Sequence, residues 1–249
     1  MDKVKFSKYH GLGNDFILID ARYEDISNRL LDYGPKLIKR ICDRNFGIGA
    51  DGIIFVLPST DSSDIRMKII NSDSSEAEMC GNGIRCFARF LTNLDKQSFS
   101  ENNVLKVETI AGIIEVEFKE ENQIQVNMGV PILQPDYIPT TFKYSSVGIP
   151  QGQLNISGTR FNAYAVGMGN PHLILYPEGI EDIDYIKVGP ILELNEAFPN
   201  KTNVHFVEVI DRETIKIIVW ERGCGLTMAC GTGACASVVS SIILGLTDT

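Results

Sequence analysis

Short apolar runs, several of them alternating with polar residues, recur along the chain and predict β-strands. They read "VKFSKYHGLGNDFILID", "GIIFVLP", "IRMKII", "VLKVETI", "GIIEVEF" and "NQIQVNMG", then "FNAYAVGMGNPHLILY", "TNVHFVEVI" and "TIKIIVWE". Apolar residues at helical spacing predict helices over 34–43 and 81–94, and an apolar stretch predicts a third over 233–244. The pattern indicates a mixed α/β (α+β) fold.

Two short motifs occur twice, in the same order and at similar spacing. "GLGNDFILI" at 11–19 resembles "GMGNPHLIL" at 167–175, and "CGNG" at 80–83 resembles "CGTG" at 230–233. Three prolines between 128 and 140 mark a boundary. We therefore expect two pseudo-symmetric halves, 1–128 and 129–249, which would bring Cys80 and Cys230 to a cleft between them.

The charge balance narrows the class of partner. The 249 residues carry 32 Asp and Glu against 23 Lys and Arg, a formal net charge of −9. This argues against a nucleic-acid partner or an anionic membrane surface. The N-terminal stretch lacks the continuous apolar segment of a secretory signal, and the helix over 233–244 is shorter than the ~20 residues that span a bilayer. We expect a cytoplasmic protein.

The chain contains six cysteines, and in a cytoplasmic chain with a substantial core we expect reduced thiols. Their C-x5-C and C-x4-C spacings, without a histidine nearby, do not match a zinc site, so no metal is expected. Four are expected to be small buried apolar residues, namely Cys42, Cys86, Cys224 and Cys235.

Cys80 and Cys230 differ because each lies in a glycine frame where a helix begins, a frame for which the sequence suggests no packing role. Backbone N–H groups at a helix start bind anions and lower the pKa of a thiol. One thiolate could remove a proton from one face of a carbon while the opposite thiol adds one to the other face. A cysteine hydrolase using one thiol and His172 would leave the second frame unexplained.

Five segments resemble the diaminopimelate epimerase family, in order, from about residue 6 to 245: "KYHGLGNDFILID", "DRNFGIGADGI", "EMCGNGIRCFARF", "GMGNPH" and "WERGCGLTMACGTGAC". The resemblance implies interconversion of LL- and meso-2,6-diaminopimelate in lysine biosynthesis, without pyridoxal phosphate or metal. It implies two halves, each a curved sheet wrapped around a central helix, with the active site in the cleft between them. We also expect a homodimer.

The resemblance also implies residue roles. Cys80 and Cys230 are the expected acid/base pair, and His172 and Glu221 are expected to tune their pKa values. The expected substrate-binding residues are Asn14, Asn71, Gly81, Asn82, Asn170, Asn203, Glu221, Arg222, Gly231 and Thr232. A cation for the distal carboxylate and oxygen acceptors for the distal ammonium suit a substrate with two amino-acid centres.

The sequence departs from the family pattern at several positions. Ser74 stands where a glycine is usual, which puts the geometry of that turn in question, and Cys224 and Leu226 replace the usual residues of the loop before Cys230. Family members normally continue with further strands beyond the position of Thr249, so we expect the C-terminal half to be truncated.

Two alternatives remain open at this point. A proline-racemase-like enzyme shares the two-cysteine scheme, but the distal set of Asn14, Asn71, Asn203 and Arg222 favours the epimerase, as does Asn at position 82 rather than His. A thiol-redox or binding protein on the same fold would instead cycle a Cys80–Cys230 couple without inverting a stereocentre.

Overall fold

The computed structural model describes residues 3–23, 25–94, 103–156 and 159–248. The chain forms two compact units, Met1–Met128 and Gly129–Thr249. Each combines one large sheet with a few helices, which confirms the predicted α+β class. Position 249, where the chain stops, lies outside the described residues.

The first unit is built on a sheet whose strands follow the order β1-β2-β3-β4-β6-β7-β8, with β5 paired to β4. The strands are β1 (Ser7–Gly11), β2 (Asn14–Asp20), β3 (Gly52–Leu57), β4 (Ile65–Asn71), β5 (Glu76–Ala77), β6 (Val104–Thr109), β7 (Gly112–Phe118) and β8 (Ile124–Val126). The helices are α1 (Ile26–Asp32), α2 (Pro35–Cys42) and α3 (Gly81–Leu94). Strands β2 and β3 are parallel, as are β4 and β6.

Alternation of side chains divides the core of this unit between the two faces of the sheet. On one face Leu18 and Ile54 pack with Phe87 of α3. On the other face Ile17 and Ile53 pack with the α2 region. Helix α3 has the bounds that the sequence predicts, and it contacts β1 to β4 and β8, so it is the central helix of the unit.

The second unit repeats this design with the strand order β15-β14-β13-β12-β11-β10-β9. Its strands are β9 (Lys143–Tyr144), β10 (Pro150–Ile156), β11 (Thr159–Gly167), β12 (Pro171–Leu175), β13 (Asn203–Val209), β14 (Ile215–Glu221) and β15 (Gly225–Thr227). Its helices are α4 (Tyr185–Glu193) and α5 (Gly231–Ile243). Short 3-10 turns lie at Glu120–Asn122 in the first unit and at Pro135–Tyr137 in the second.

The two units share one topology around a parallel strand pair. In the first, β1, β2, β3, β4 and β5 pair in turn and α3 follows; in the second, β11 to β15 pair in turn and α5 follows. The parallel registers match, because Phe16 lies beside Gly52 and His172 lies beside Asn203. This confirms the predicted pseudo-symmetry of the two halves.

Three helices differ from the sequence-based expectation, and one of them is the short helix α1, which is not predicted. Helix α5 begins at Gly231 rather than 233, because the sulfur of Cys230 caps its first turn. Helix α4 is not predicted, since Gly189 and Pro190 interrupt its pattern. Gly189 is required there because a Cβ would lie 2.3 Å from the Trp220 ring. Across the described ranges, no helix is both long enough and apolar enough to cross a membrane.

Candidate active site

In the first unit the thiol of Cys80 lies at the start of α3. Its Sγ accepts a hydrogen bond from the backbone N–H of Gly83, with an N to Sγ distance of 3.3 Å. A Cβ at Gly83 would lie 3.1 Å from Ile54 Cδ1 and 3.3 Å from Cys80 Cβ. The glycine therefore lets the sulfur fold back over the first turn, a packing role that the sequence did not suggest.

Asn14 presents its amide oxygen to this thiol. Its Oδ1 lies 3.8 Å from Cys80 Sγ and 3.4 Å from Asn82 Nδ2. Its Nδ2 donates to Asp51 Oδ2 at 2.7 Å. A carboxylate only accepts hydrogen bonds, so Asp51 fixes the orientation of the Asn14 amide. Arg44 Nη2 donates to the other Asp51 oxygen at 2.7 Å and holds this carboxylate in turn.

Asn71 ends β4 and leads into the turn that contains Ser74. Its Nδ2 donates to Ser75 Oγ at 3.0 Å, and its backbone N–H donates to the Ser75 carbonyl at 2.8 Å. Ser74 has a φ of 78°, in the left-handed region that glycine adopts more easily. Its hydroxyl donates to the Pro35 carbonyl at 2.9 Å. A serine thus holds a glycine-like backbone conformation at this turn.

In the second unit the thiol of Cys230 lies at the start of α5 and is only 5% exposed. Its Sγ accepts from the backbone N–H of Gly233 at 3.4 Å and lies 3.3 Å from Thr232 Oγ1. A Cβ at Gly233 would lie 2.0 Å from His205 Cε1. Gly233 is therefore required for the close approach of the imidazole, so this glycine frame also has a packing role.

Behind this helix start lies a fully buried pair of histidines, His172 on β12 and His205 on β13. His172 Nδ1 and His205 Nε2 are 2.8 Å apart, and His172 Nε2 lies 2.6 Å from Asn170 Oδ1. Burial, together with the neighbouring His205 and Arg222, holds the pKa of His172 well below its usual value, and burial lowers the pKa of His205 to about 3. Both imidazoles are neutral at physiological pH.

Asn203 connects the parallel strand pair to the end of β14. Its Nδ2 donates to the Pro171 carbonyl at 3.0 Å, and its Oδ1 accepts the backbone N–H of Arg222 at 3.0 Å. The structure thus brings Asn170, His172, Asn203 and Arg222 together at one end of the sheet. Glu221 accepts a hydrogen bond from Thr227 Oγ1 at 2.6 Å, across the β14–β15 hairpin.

The remaining cysteines have different surroundings. Cys42 and Cys86 are buried as expected, and burial raises the pKa of each thiol to about 11. Cys235 is only half-buried, short of the expectation, and its partial burial raises the pKa of its thiol. The expectation of a buried Cys224 is wrong, because the residue lies exposed in the β14–β15 turn, where its N–H donates to the Glu221 carbonyl. No group of three or more His, Cys, Asp or Glu side chains within the described ranges could hold a metal ion.

The sequence does not predict a role for two residues near the thiols, Asp51 and His205. Asp51 lies in a glycine-rich loop, and nothing in the sequence connects it to Asn14. His205 does carry a sequence signal, because it lies between apolar residues in the strand segment "VHFV".

Solved structures share this two-unit fold. The chain is similar to a hydroxyproline epimerase from Agrobacterium vitis with a TM-score of 0.68 and 14% identity, covering 98% of this chain and 78% of that one. It is similar to a PhzF-family phenazine biosynthesis protein from Bacillus anthracis with a TM-score of 0.60 and 15% identity, covering 97% and 80%. These likenesses show the fold alone, and place the chain in the fold class that contains this hydroxyproline epimerase and this PhzF-family protein.

Within that class, the chain belongs to the diaminopimelate epimerase family. The family model matches residues 6–134 and 164–249. A diaminopimelate epimerase from Prochlorococcus marinus is 49% identical over 245 residues, covering 98% of this chain and 80% of the relative. One from Carboxydothermus hydrogenoformans is 48% identical over 243 residues, covering 97% and 85%. The family predicted from the five sequence segments is confirmed.

Proposed function

We propose that the chain interconverts LL-2,6-diaminopimelate and meso-2,6-diaminopimelate, a step of lysine biosynthesis, by moving a proton at one α-carbon. The repeated thiol carries the proposal. Cys80 and Cys230 each cap a central helix, with the sulfur held by the N–H three residues further on. Relatives that are nearly half identical over almost the full length of this chain are named diaminopimelate epimerase.

The two thiols would act on the same carbon from opposite faces. One, as the thiolate, takes the α-proton, so the C–H bond breaks and an S–H bond forms. The other gives up its S–H proton to the opposite face of the carbanion and is left as the thiolate. The protonation states of the two sulfurs are thereby exchanged, which suits an enzyme that runs in both directions.

The α-carboxylate must carry the charge that develops next to the reacting carbon. The helix starts provide backbone N–H groups for it, at Gly81 and Asn82 and at Gly231 and Thr232. Donors held in place before the reaction stabilise such charge without reorganisation. His172 and Glu221 are proposed to tune the thiols, with His172 acting as a neutral imidazole.

Arg222 is the proposed partner of the distal carboxylate. Its backbone N–H is anchored on Asn203, which keeps the residue at the end of β14 beside the paired strands. Asn14, Asn71, Asn170 and Asn203 are the proposed partners of the remaining polar groups of the substrate. A charge-assisted contact with a carboxylate is the strongest single interaction in this set.

A proline-racemase-like activity is the second candidate, and the fold likeness to a hydroxyproline epimerase favours it. The two differ in substrate, because a single-centre cyclic amino acid has no distal group for Arg222. Incubation with LL-diaminopimelate or with L-proline, followed by chiral chromatography, separates them. Inversion of proline alone would refute the diaminopimelate proposal, and inversion of neither would leave the redox alternative.

Solvent deuterium tests the mechanism. In heavy water the meso product should carry deuterium at the inverted carbon from the first turnover, while unreacted substrate stays mostly protiated. Cys80→Ala and Cys230→Ala should each abolish inversion, and Cys86→Ala serves as the matched control because that thiol is buried in the core. Early product that retains its original hydrogen would refute the two-thiol mechanism.

Assembly and location complete the proposal. We propose a homodimer, which sedimentation equilibrium would test directly. We propose a cytoplasmic location because both catalytic thiols must stay reduced, and the cytosol keeps thiols reduced. Fractionation of cells that express a tagged chain would test it.

A further inference from the structure

The two thiol sites differ in the pair of side chains beneath the helix start. In the first unit Phe16 and Ile54 occupy this place and belong to the apolar core under α3. The strand registers put His172 and His205 at the equivalent positions of the second unit. The glycine of each frame contacts the second member of the pair, Ile54 or His205. The second unit thus has a pair of histidines where the first unit has a pair of apolar side chains.

The hydrogen bonds determine which nitrogens carry protons. Asn170 Oδ1 is an acceptor, so His172 Nε2 must be the protonated nitrogen that donates to it. A neutral imidazole has one N–H, so His172 Nδ1 accepts, and the donor is His205 Nε2–H. His205 Nδ1 is then the unprotonated nitrogen, and it has no hydrogen-bond partner among the described residues.

We propose that His205 is a positioning residue: it fixes the proton of His172 on Nε2 and thereby turns the Asn170 amide so that its NH2 group is the donor offered to the substrate. The proposal rests on the proposed function for the substrate-binding role of Asn170. His205 itself contacts no reacting atom in this scheme.

The first unit sets the equivalent amide in the opposite way. There Asp51 takes the NH2 group of Asn14, which leaves the amide oxygen beside Cys80. Two asparagines from one repeated motif would therefore present opposite polarity, an acceptor at Asn14 and a donor at Asn170. A substrate that carries both ammonium and carboxylate groups needs both kinds of partner.

The orphan nitrogen of His205 supports a role beyond packing. A buried polar atom without a partner is destabilising, and native structures retain few of them. Ile54, at the equivalent position of the first unit, fills the same space without that penalty. The feature that His205 adds is the Nε2–H donor to His172.

Nitrogen-15 spectroscopy tests the assignment without depending on activity. The chain has three histidines, so ¹⁵N-histidine labelling gives signals from six ring nitrogens. The His10→Gln variant identifies the two signals of the exposed His10, because they disappear from its spectrum. We expect His172 and His205 both as neutral Nε2–H tautomers between pH 6 and 8. An Nδ1–H tautomer at His172 would overturn the proposal.

Two variants test the consequence for catalysis. His205→Leu removes the donor and keeps an apolar side chain like Ile54, whereas His205→Gln places an amide donor near the Nε2 position. The loss of one neutral hydrogen bond predicts a KM for diaminopimelate about two- to tenfold higher in the Leu variant, with a smaller change in kcat. The Gln variant should restore both the KM and the single tautomer of His172.

The outcomes separate this proposal from the proposed function. If the leucine variant keeps a pure Nε2–H tautomer at His172 and an unchanged KM, His205 does not position it. If the leucine variant does not fold, the wild-type tautomers and the Gln variant still decide. The expected tautomers in a protein that does not invert diaminopimelate would refute the function and leave the His205–His172 assignment standing.

Discussion

Gly233→Ala should destabilise the protein by forcing its new methyl group into His205. The added Cβ would lie 2.0 Å from His205 Cε1 and 2.7 Å from both ring nitrogens. The imidazole cannot withdraw, because it is fully buried and bonded to His172. Overpacking of a rigid site costs about 3 kcal/mol, and alanine recovers about 1 kcal/mol of helix propensity. The expected net loss is about 2 kcal/mol.

Gly83→Ala is the matched control at the same position of the first unit. Its Cβ would lie 3.1 Å from Ile54 Cδ1, the end of a flexible side chain, and 3.3 Å from Cys80 Cβ. A shift of a few tenths of an ångström relieves both contacts. We expect the steric cost of the added methyl group to balance the gain of about 1 kcal/mol in helix propensity, so that the stability of Gly83→Ala is close to that of the parent.

Differential scanning calorimetry distinguishes the two variants. A loss of about 2 kcal/mol should lower Tm by roughly 4–8 °C for Gly233→Ala, and Gly83→Ala should stay within about 2 °C of the parent. In a His205→Ala background the methyl group has room, so Gly233→Ala should then be neutral or stabilising. An equal loss in both backgrounds would refute the clash with His205.

Substitutions at three further positions test other contacts. Arg222→Met should lower kcat/KM for diaminopimelate about tenfold to hundredfold, the value of one charge-assisted bond of about 1.5–3 kcal/mol; an unchanged kcat/KM would place distal recognition elsewhere. Asp51→Ala removes the acceptor that orients the Asn14 amide. It should lower kcat by about tenfold and the free energy of unfolding by about 1–3 kcal/mol. Unaltered kinetics would argue against the positioning of Asn14 by Asp51. Ser74→Ala keeps the left-handed backbone but loses the hydrogen bond to Pro35, so it should lower the free energy of unfolding by about 1 kcal/mol. Ser74→Gly loses the same bond but relieves the backbone strain, so its free energy of unfolding should stay near that of the parent. Equal effects of the two substitutions would contradict the role of the hydroxyl.

Local pattern predicted the central helices well because their signals lie within a few residues. The apolar spacing in 81–94 gave the bounds of α3, since Ile84, Phe87 and Leu91 all face the sheet. Helix α4 escaped because the reason for Gly189 is the distant Trp220 ring, which pattern cannot reveal. Tertiary contact there outweighs the low helix propensity of glycine.

The residues of the candidate site that lie in a repeated motif were predictable from the sequence. Cys80 and Cys230 stood out through their repeated frames, and each does cap its helix. The orientation of the neighbouring amides was not predictable, because it depends on partners brought in by other strands: Asp51 for one and the histidine pair for the other. Cys224 was wrongly expected to be buried, because its exposure is set by its place in a backbone turn and not by its residue type.

The parallel pairing of β12 with β13 has a consequence for the order in which the molecule folds. Parallel strands need a long crossover, here one that includes α4, so the contact of His172 with His205 closes a large loop. The cap of Cys230 on α5 spans only a few residues. Contacts between distant residues form slowly and local ones fast. During refolding, helical circular dichroism should therefore recover before the ring nitrogens of the histidine pair reach their native chemical shifts.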